Sequence, residues 1–129
     1  MVQNKDTRIP PQYQTVMAYL IVKDATGFIS FMQTVFDAEE TYKTMRDTAI
    51  IAHAEIMIGG STIMLADATA DFPSRTGGFF LYVDDADLRY QRALDAGATS
   101  IMPPVDQPYG RSGGVIDAFG NTWWITTIQ

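Results

Sequence analysis

Residues 20–25 read L-I-V-K-D-A and residues 81–86 read L-Y-V-D-D-A. In each, an apolar run breaks at an aspartate followed by alanine, the way a buried strand passes into a helix capped by a carboxylate. T-V-M-A-Y-L-I-V over residues 15–22 predicts a buried strand. Downstream, Phe28, Phe31, Met32 and Val35 recur at helical spacing, which predicts a helix over 25–36 with one apolar stripe. A strand over 39–45 follows, with a turn near Arg46-Asp47. The run I-I-A-H-A-E-I-M-I then meets Gly59-Gly60 and returns as S-T-I-M-L-A, a hairpin signal.

The same order begins again after a linker expected over 67–78. A strand is predicted over 79–83, a helix over 86–96 ending at Gly97, a short strand over 99–102 and a loop P-P-V-D-Q-P-Y-G-R-S. Strands over 113–117 and 122–127 flank the turn A-F-G-N. Sliding the chain by 61 residues superimposes Leu20, Val22, Asp24 and Ala25 on Leu81, Val83, Asp85 and Ala86, and Gly59 on Gly120. These matches fall at strand ends, helix caps and a hairpin turn, where backbone geometry demands particular residues. The reading is an α+β chain of two tandem β-α-β-β-β modules, about 13–68 and 76–127, forming a curved mixed sheet with helices outside. A polar tail over 1–12 precedes this single domain.

Composition narrows the function. Of 129 residues, 47% are apolar, 19% are charged and the formal net charge is −6. Nucleic acid is disfavoured, because no cluster of Lys and Arg matches a phosphate backbone. No apolar run approaches the roughly 20 residues that span a bilayer, and the opening M-V-Q-N-K-D-T-R is polar; a cytoplasmic protein that avoids membranes is expected. With no cysteine and one histidine, His53, thiolate chemistry is excluded and a multi-histidine metal site cannot form.

The chain resembles the vicinal oxygen chelate superfamily of glyoxalase I, bleomycin- and fosfomycin-resistance proteins and extradiol dioxygenases. M-A-Y-L-I-V-K-D-A, F-M-Q-T-V-F-D-A-E, H-A-E-I-M-I-G-G-S-T-I-M-L-A-D, M-P-P-V-D-Q-P-Y-G-R and D-A-F-G-N-T-W-W carry the likeness, across roughly 13–127. The H-A-E and D-Q-x-x-G motifs are similar to a glyoxalase-like branch near phosphonate and methyltransferase names. The resemblance implies a pocket enclosed by two modules, usually completed in a homodimer, and in catalytic members a divalent metal held by four strands. The four implied ligand positions are Met17, Gly78, Ile63 and Trp124, none of which carries a suitable donor. No metal and no cofactor is therefore expected.

Alternation puts His53 and Glu55 on one side of their strand and Ala52, Ala54, Ile56 and Ile58 on the other, packed on the helices. His53 and Glu55 are the candidate catalytic acid–base pair, with an exposed structural pair as the alternative. Met17, Tyr19, Phe80, Tyr82 and Trp124 are expected on the concave face, with Tyr109 and Arg111 on a mobile flap over it; these are the candidate ligand-binding residues. Such a face suits a flat aromatic, amphipathic or cationic small molecule. Three functions stay open: a metal-free, resistance-like binding protein, a metal-independent lyase or isomerase, and a structural module with a filled barrel. The acidic balance suits a bleomycin-type cation better than an anion such as fosfomycin.

Overall fold

The computed structural model describes residues 8–129. The order is β1 (Tyr19–Val22), α1 (Ala25–Phe36), β2 (Glu39–Met45), β3 (Ile51–Ile58) and β4 (Ser61–Asp67), then β5 (Gly78–Tyr82), α2 (Ala86–Asp95), β6 (Thr99–Gln107), β7 (Gly110–Ile116) and β8 (Thr122–Thr127). These are two β-α-β-β-β modules, each a four-stranded mixed sheet: β1-β4-β3-β2 and β5-β8-β7-β6. The first strand of each module pairs in parallel with its last, and the other pairs are antiparallel. The barrel is not closed.

Local chemistry sets the helix starts. Asp24 accepts a hydrogen bond from the Gly27 amide at 2.9 Å and Asp85 from the Leu88 amide at 3.1 Å, as the repeated strand–aspartate motif predicts. The predicted stripe of α1 is buried throughout. One core serves both modules. Trp123, on β8, packs its ring 4.8 Å from Phe36 of α1 and 4.4 Å from Phe79 of β5. Arg89 of α2 reaches α1, donating to the Val35 carbonyl at 3.2 Å and pairing with Asp37 at 2.8 Å and Asp84 at 3.0 Å.

Four local expectations are corrected. The first strand begins at Tyr19, not Thr15, because upstream the Gln14 side chain takes the place of a strand: its amide nitrogen donates to the Thr62 carbonyl at 2.9 Å and its oxygen accepts from the Thr62 amide at 3.3 Å. The stretch read as a loop after Met102 is instead a hairpin of β6 and β7. Pro103 and Pro104 are tolerated because β6 is an edge strand with register shifts, where a missing amide breaks no ladder. Asp67, assigned to the linker, ends β4 and accepts from the amides of Ala25 at 2.8 Å and Ile51 at 2.7 Å. Finally, alternation fails at the start of β3. Ile51 is buried in the core and Ala52 is exposed, beside an irregularity in the β2–β3 pairing.

Of the expected tail, residues 1–7 lie outside the described residues. Gln12 is docked, its carbonyl accepting from the Thr62 hydroxyl at 2.6 Å.

Candidate functional site

The face of each sheet turned away from the helices carries the candidate residues. In the first module Tyr19, Met64, Glu55 and Tyr42 stand side by side across four strands; Phe80, Trp124, Gly114 and Met102 form the equivalent row in the second. This register corrects one assignment. The counterpart of Trp124 is Met64, because the first module has one more residue between its paired strands. Ile63 lies opposite Ile56 and is buried in the core.

His53 and Glu55 meet, with His53 Nε2 2.8 Å from Glu55 Oε2. Tyr13 donates its hydroxyl to Glu55 Oε1 at 2.6 Å, and the Tyr19 hydroxyl lies 3.0 Å from His53 Nδ1, the two rings stacked at 5.5 Å. An ionised carboxylate only accepts, so the His53 Nε2–H donates to Glu55, and Nδ1 is hydrogen-bonded with the Tyr19 hydroxyl. Glu55 is 6% exposed. Burial pushes its pKa up, but the hydrogen bonds from Tyr13 and His53 and the histidine's charge outweigh that and hold it below the ordinary glutamate value. The same hydrogen bond raises Tyr13. Sequence reasoning missed Tyr13, which sits beyond any periodic segment, at the edge of the expected tail.

In the second module the rings of Phe80 and Tyr82 meet edge to face at 5.4 Å, and Tyr109 lies 5.9 Å from Phe80. All three are about half exposed. Trp124 is half-buried above Gly114, and Trp123 and Ile125 point into the core, as alternation predicts. Phe80 and Tyr82, with Phe36, Phe79, Arg89 and Trp123, line a cleft of about 610 Å³ between the modules, closed opposite by Gln14 and the β3–β4 hairpin.

Three candidates fall elsewhere. Arg111 is on β7 rather than a mobile flap. It is gripped at 2.7 and 3.1 Å by Asp87 of α2 and at 3.1 Å by Asp106, so its guanidinium is already neutralised. Met17 is half-buried in the irregular segment before β1. Tyr19 belongs with His53 in the first module and does not line the cleft.

The positions that would hold the superfamily's metal carry poor donors. A thioether, a backbone glycine and an indole stand at three of the positions, and Met64 or Ile63 at the fourth. His53 and Glu55 are saturated by each other and by two tyrosines, and among the described residues no group of three His, Cys, Asp or Glu converges. The set does not fit a divalent metal.

With this geometry, residues 13–125 match the Glyoxalase/Bleomycin resistance protein/Dioxygenase superfamily. The chain belongs to that superfamily. It is 35% identical over 136 residues to "Uncharacterized protein MT0910" of Mycobacterium tuberculosis, spanning 94% of this chain and 78% of that protein. The fold is similar to crystal structures of TioX from Micromonospora sp. ML1 (TM-score 0.73, 21% identity, 90% and 99% of the two chains) and of the fosfomycin resistance protein FosX from Listeria monocytogenes (0.66, 21%, 90% and 94%). No helix among the described residues is long and apolar enough to cross a membrane.

Proposed function

We propose that the protein binds a small aromatic or amphipathic molecule without the superfamily's metal, in the cleft between its modules, as a cytoplasmic homodimer. The observation that carries this reading is the half-exposed rings of Phe80 and Tyr82 on the wall of a cleft of about 610 Å³, a volume suited to a drug-sized ligand. They stand on a strand, so the surface is preformed, and the net charge of −6 draws cations toward it. FosX is known in complex with Mn(II); the donor set here supports no comparable chemistry. A lyase or isomerase working through His53 and Glu55 is the weaker alternative, since every ionisable atom of the pair already has a partner. The test is a thermal-shift and tryptophan-fluorescence screen of aromatic cations, Trp123 lining the cleft as reporter. Phe80→Ala and Tyr82→Ala should each weaken a hit about tenfold, the worth of one aromatic contact. Unchanged affinity in both variants, or turnover that His53→Ala abolishes, would reject the reading.

A further inference from the structure

A second cavity, about 340 Å³, lies on the first module and shares no residue with the cleft. Ala52 and Ala66 contribute its small side chains beside Ile21; Tyr19, Phe72 and Arg46 are its large ones. The space exists because this sheet carries little bulk here: Ile21 lies beside Ala66, where the second module sets Tyr82 beside Thr126. Phe72, on the loop after β4, is 61% exposed at the rim of this cavity.

The charges lining this cavity are unequal. Asp67 is nearly buried, and its two oxygens are taken by the amides of Ala25 and Ile51, with the start of α1 offsetting its charge. Next to Arg46, Asp47 spends one oxygen on the amides of Ala49 and Ile50, closing the β2–β3 turn. Arg46 itself is exposed; among the described residues its guanidinium makes no hydrogen bond, and it acts on the neighbouring Asp47 carboxylate through its charge alone. An apolar slot with aromatic sides and one uncommitted, permanently charged fork is complementary to a flat apolar body bearing a single carboxylate.

We infer that the first module holds a separate site for small aromatic monocarboxylates, the ring between Tyr19 and Phe72 and the carboxylate on Arg46. This site does not depend on the cleft ligand proposed above. The neutral amide of the same acid keeps the apolar contacts and loses the charge-assisted bond, so it should bind at least about tenfold more weakly.

The experiment titrates phenylacetate and phenylacetamide into the full chain, followed by backbone-amide NMR. Saturable shifts at Ile21, Ala52, Ala66 and Thr69 in the millimolar range are expected with the acid. Arg46→Gln should weaken the acid to the level of the amide with little change in Tm, because the substitution keeps the backbone bond from Arg46 to the Ile50 carbonyl and removes no side-chain hydrogen bond. Ala52→Leu should abolish both by filling the slot, and Phe80→Ala should change neither, which separates this site from the cleft. If Ala52→Leu does not fold, the acid–amide ratio and Arg46→Gln decide. Equal affinity for acid and amide, full affinity in Arg46→Gln, or no shift at these residues would overturn the assignment.

Discussion

The indole of Trp124 occupies the space that a β-carbon on Gly114 would need. The two residues are paired across β7 and β8 on the open face of the second module. In the first module the place of Gly114 is taken by Glu55, so one register position is a seat for a ring in one half and an anchored carboxylate in the other. Gly114→Ala should therefore push the indole off its seat, costing about 1–3 kcal/mol as overpacking does. Urea unfolding measures the loss, and a shifted Trp fluorescence maximum in the folded state shows that the ring has moved.

Asp117 organises the A-F-G-N turn. One oxygen accepts from the amides of Phe119 and Asn121 at 2.8 and 2.9 Å, and the other from the Trp123 indole at 2.7 Å. Asp117→Ala strands these donors in a buried site and should cost roughly 2–4 kcal/mol. Because Trp123 packs against α1 as well as β5, the loss should appear as one cooperative transition at lower denaturant, with no early unfolding of the second module.

The Tyr13–Glu55 bond makes stability depend on pH at both ends. Glu55 is held below its ordinary pKa, so its contribution is present above the unfolded value near 4.5 and is lost as pH falls through the folded value. Tyr13 is raised, so its contribution is present below the unfolded value near 10 and is lost as pH climbs past it. Tyr13→Phe should destabilise the protein at neutral pH, and the gap to wild type should shrink toward both extremes. Chemical denaturation across pH 3–11 checks this; a constant gap would mean the bond does not govern either group.

Metal should not stabilise the fold. With Met17, Met64, Gly78 and Trp124 at or beside the ligand positions, adding Mn(II), Ni(II), Zn(II) or Fe(II) should leave Tm unchanged, and protein purified without chelators should carry far less than one metal per chain. Elemental analysis gives the direct answer. One tightly held ion abolished by His53→Ala would place a site where the hydrogen-bonded tyrosines now stand.

The parts legible in the sequence were those set by local rules. The repeated strand–aspartate motif marks both helix starts, and helical spacing marks the face of α1, because cap and stripe depend on residues within a few positions. Alternation placed Trp123 in the core and Trp124 on the open face for the same reason. It failed where long-range pairing intrudes. The irregularity in β3 at Ala52 turns that residue outward, and a one-residue difference between modules moves the counterpart of Trp124 from Ile63 to Met64. The partners of Arg111 were hidden, because Asp87 is 24 positions away on a helix and only the folded chain brings it near. Tyr13, 42 positions from Glu55, was hidden likewise.

Each module also fastens its own end to its own beginning. Asp67, the last residue of β4, holds the first amide of α1; Thr127, the last residue of β8, holds the first amide of α2 at 2.6 Å. The two chemistries differ, a carboxylate in one and a hydroxyl in the other, yet the knot is tied at the same place. A unit buckled in this way holds its helix and sheet in register through its own residues. Two such units set end to end need no further internal joinery, only an apolar surface for each to lie against, and here one core supplies it to both. The two open faces are free of that duty and differ: one carries an anchored carboxylate beside His53, the other a row of rings.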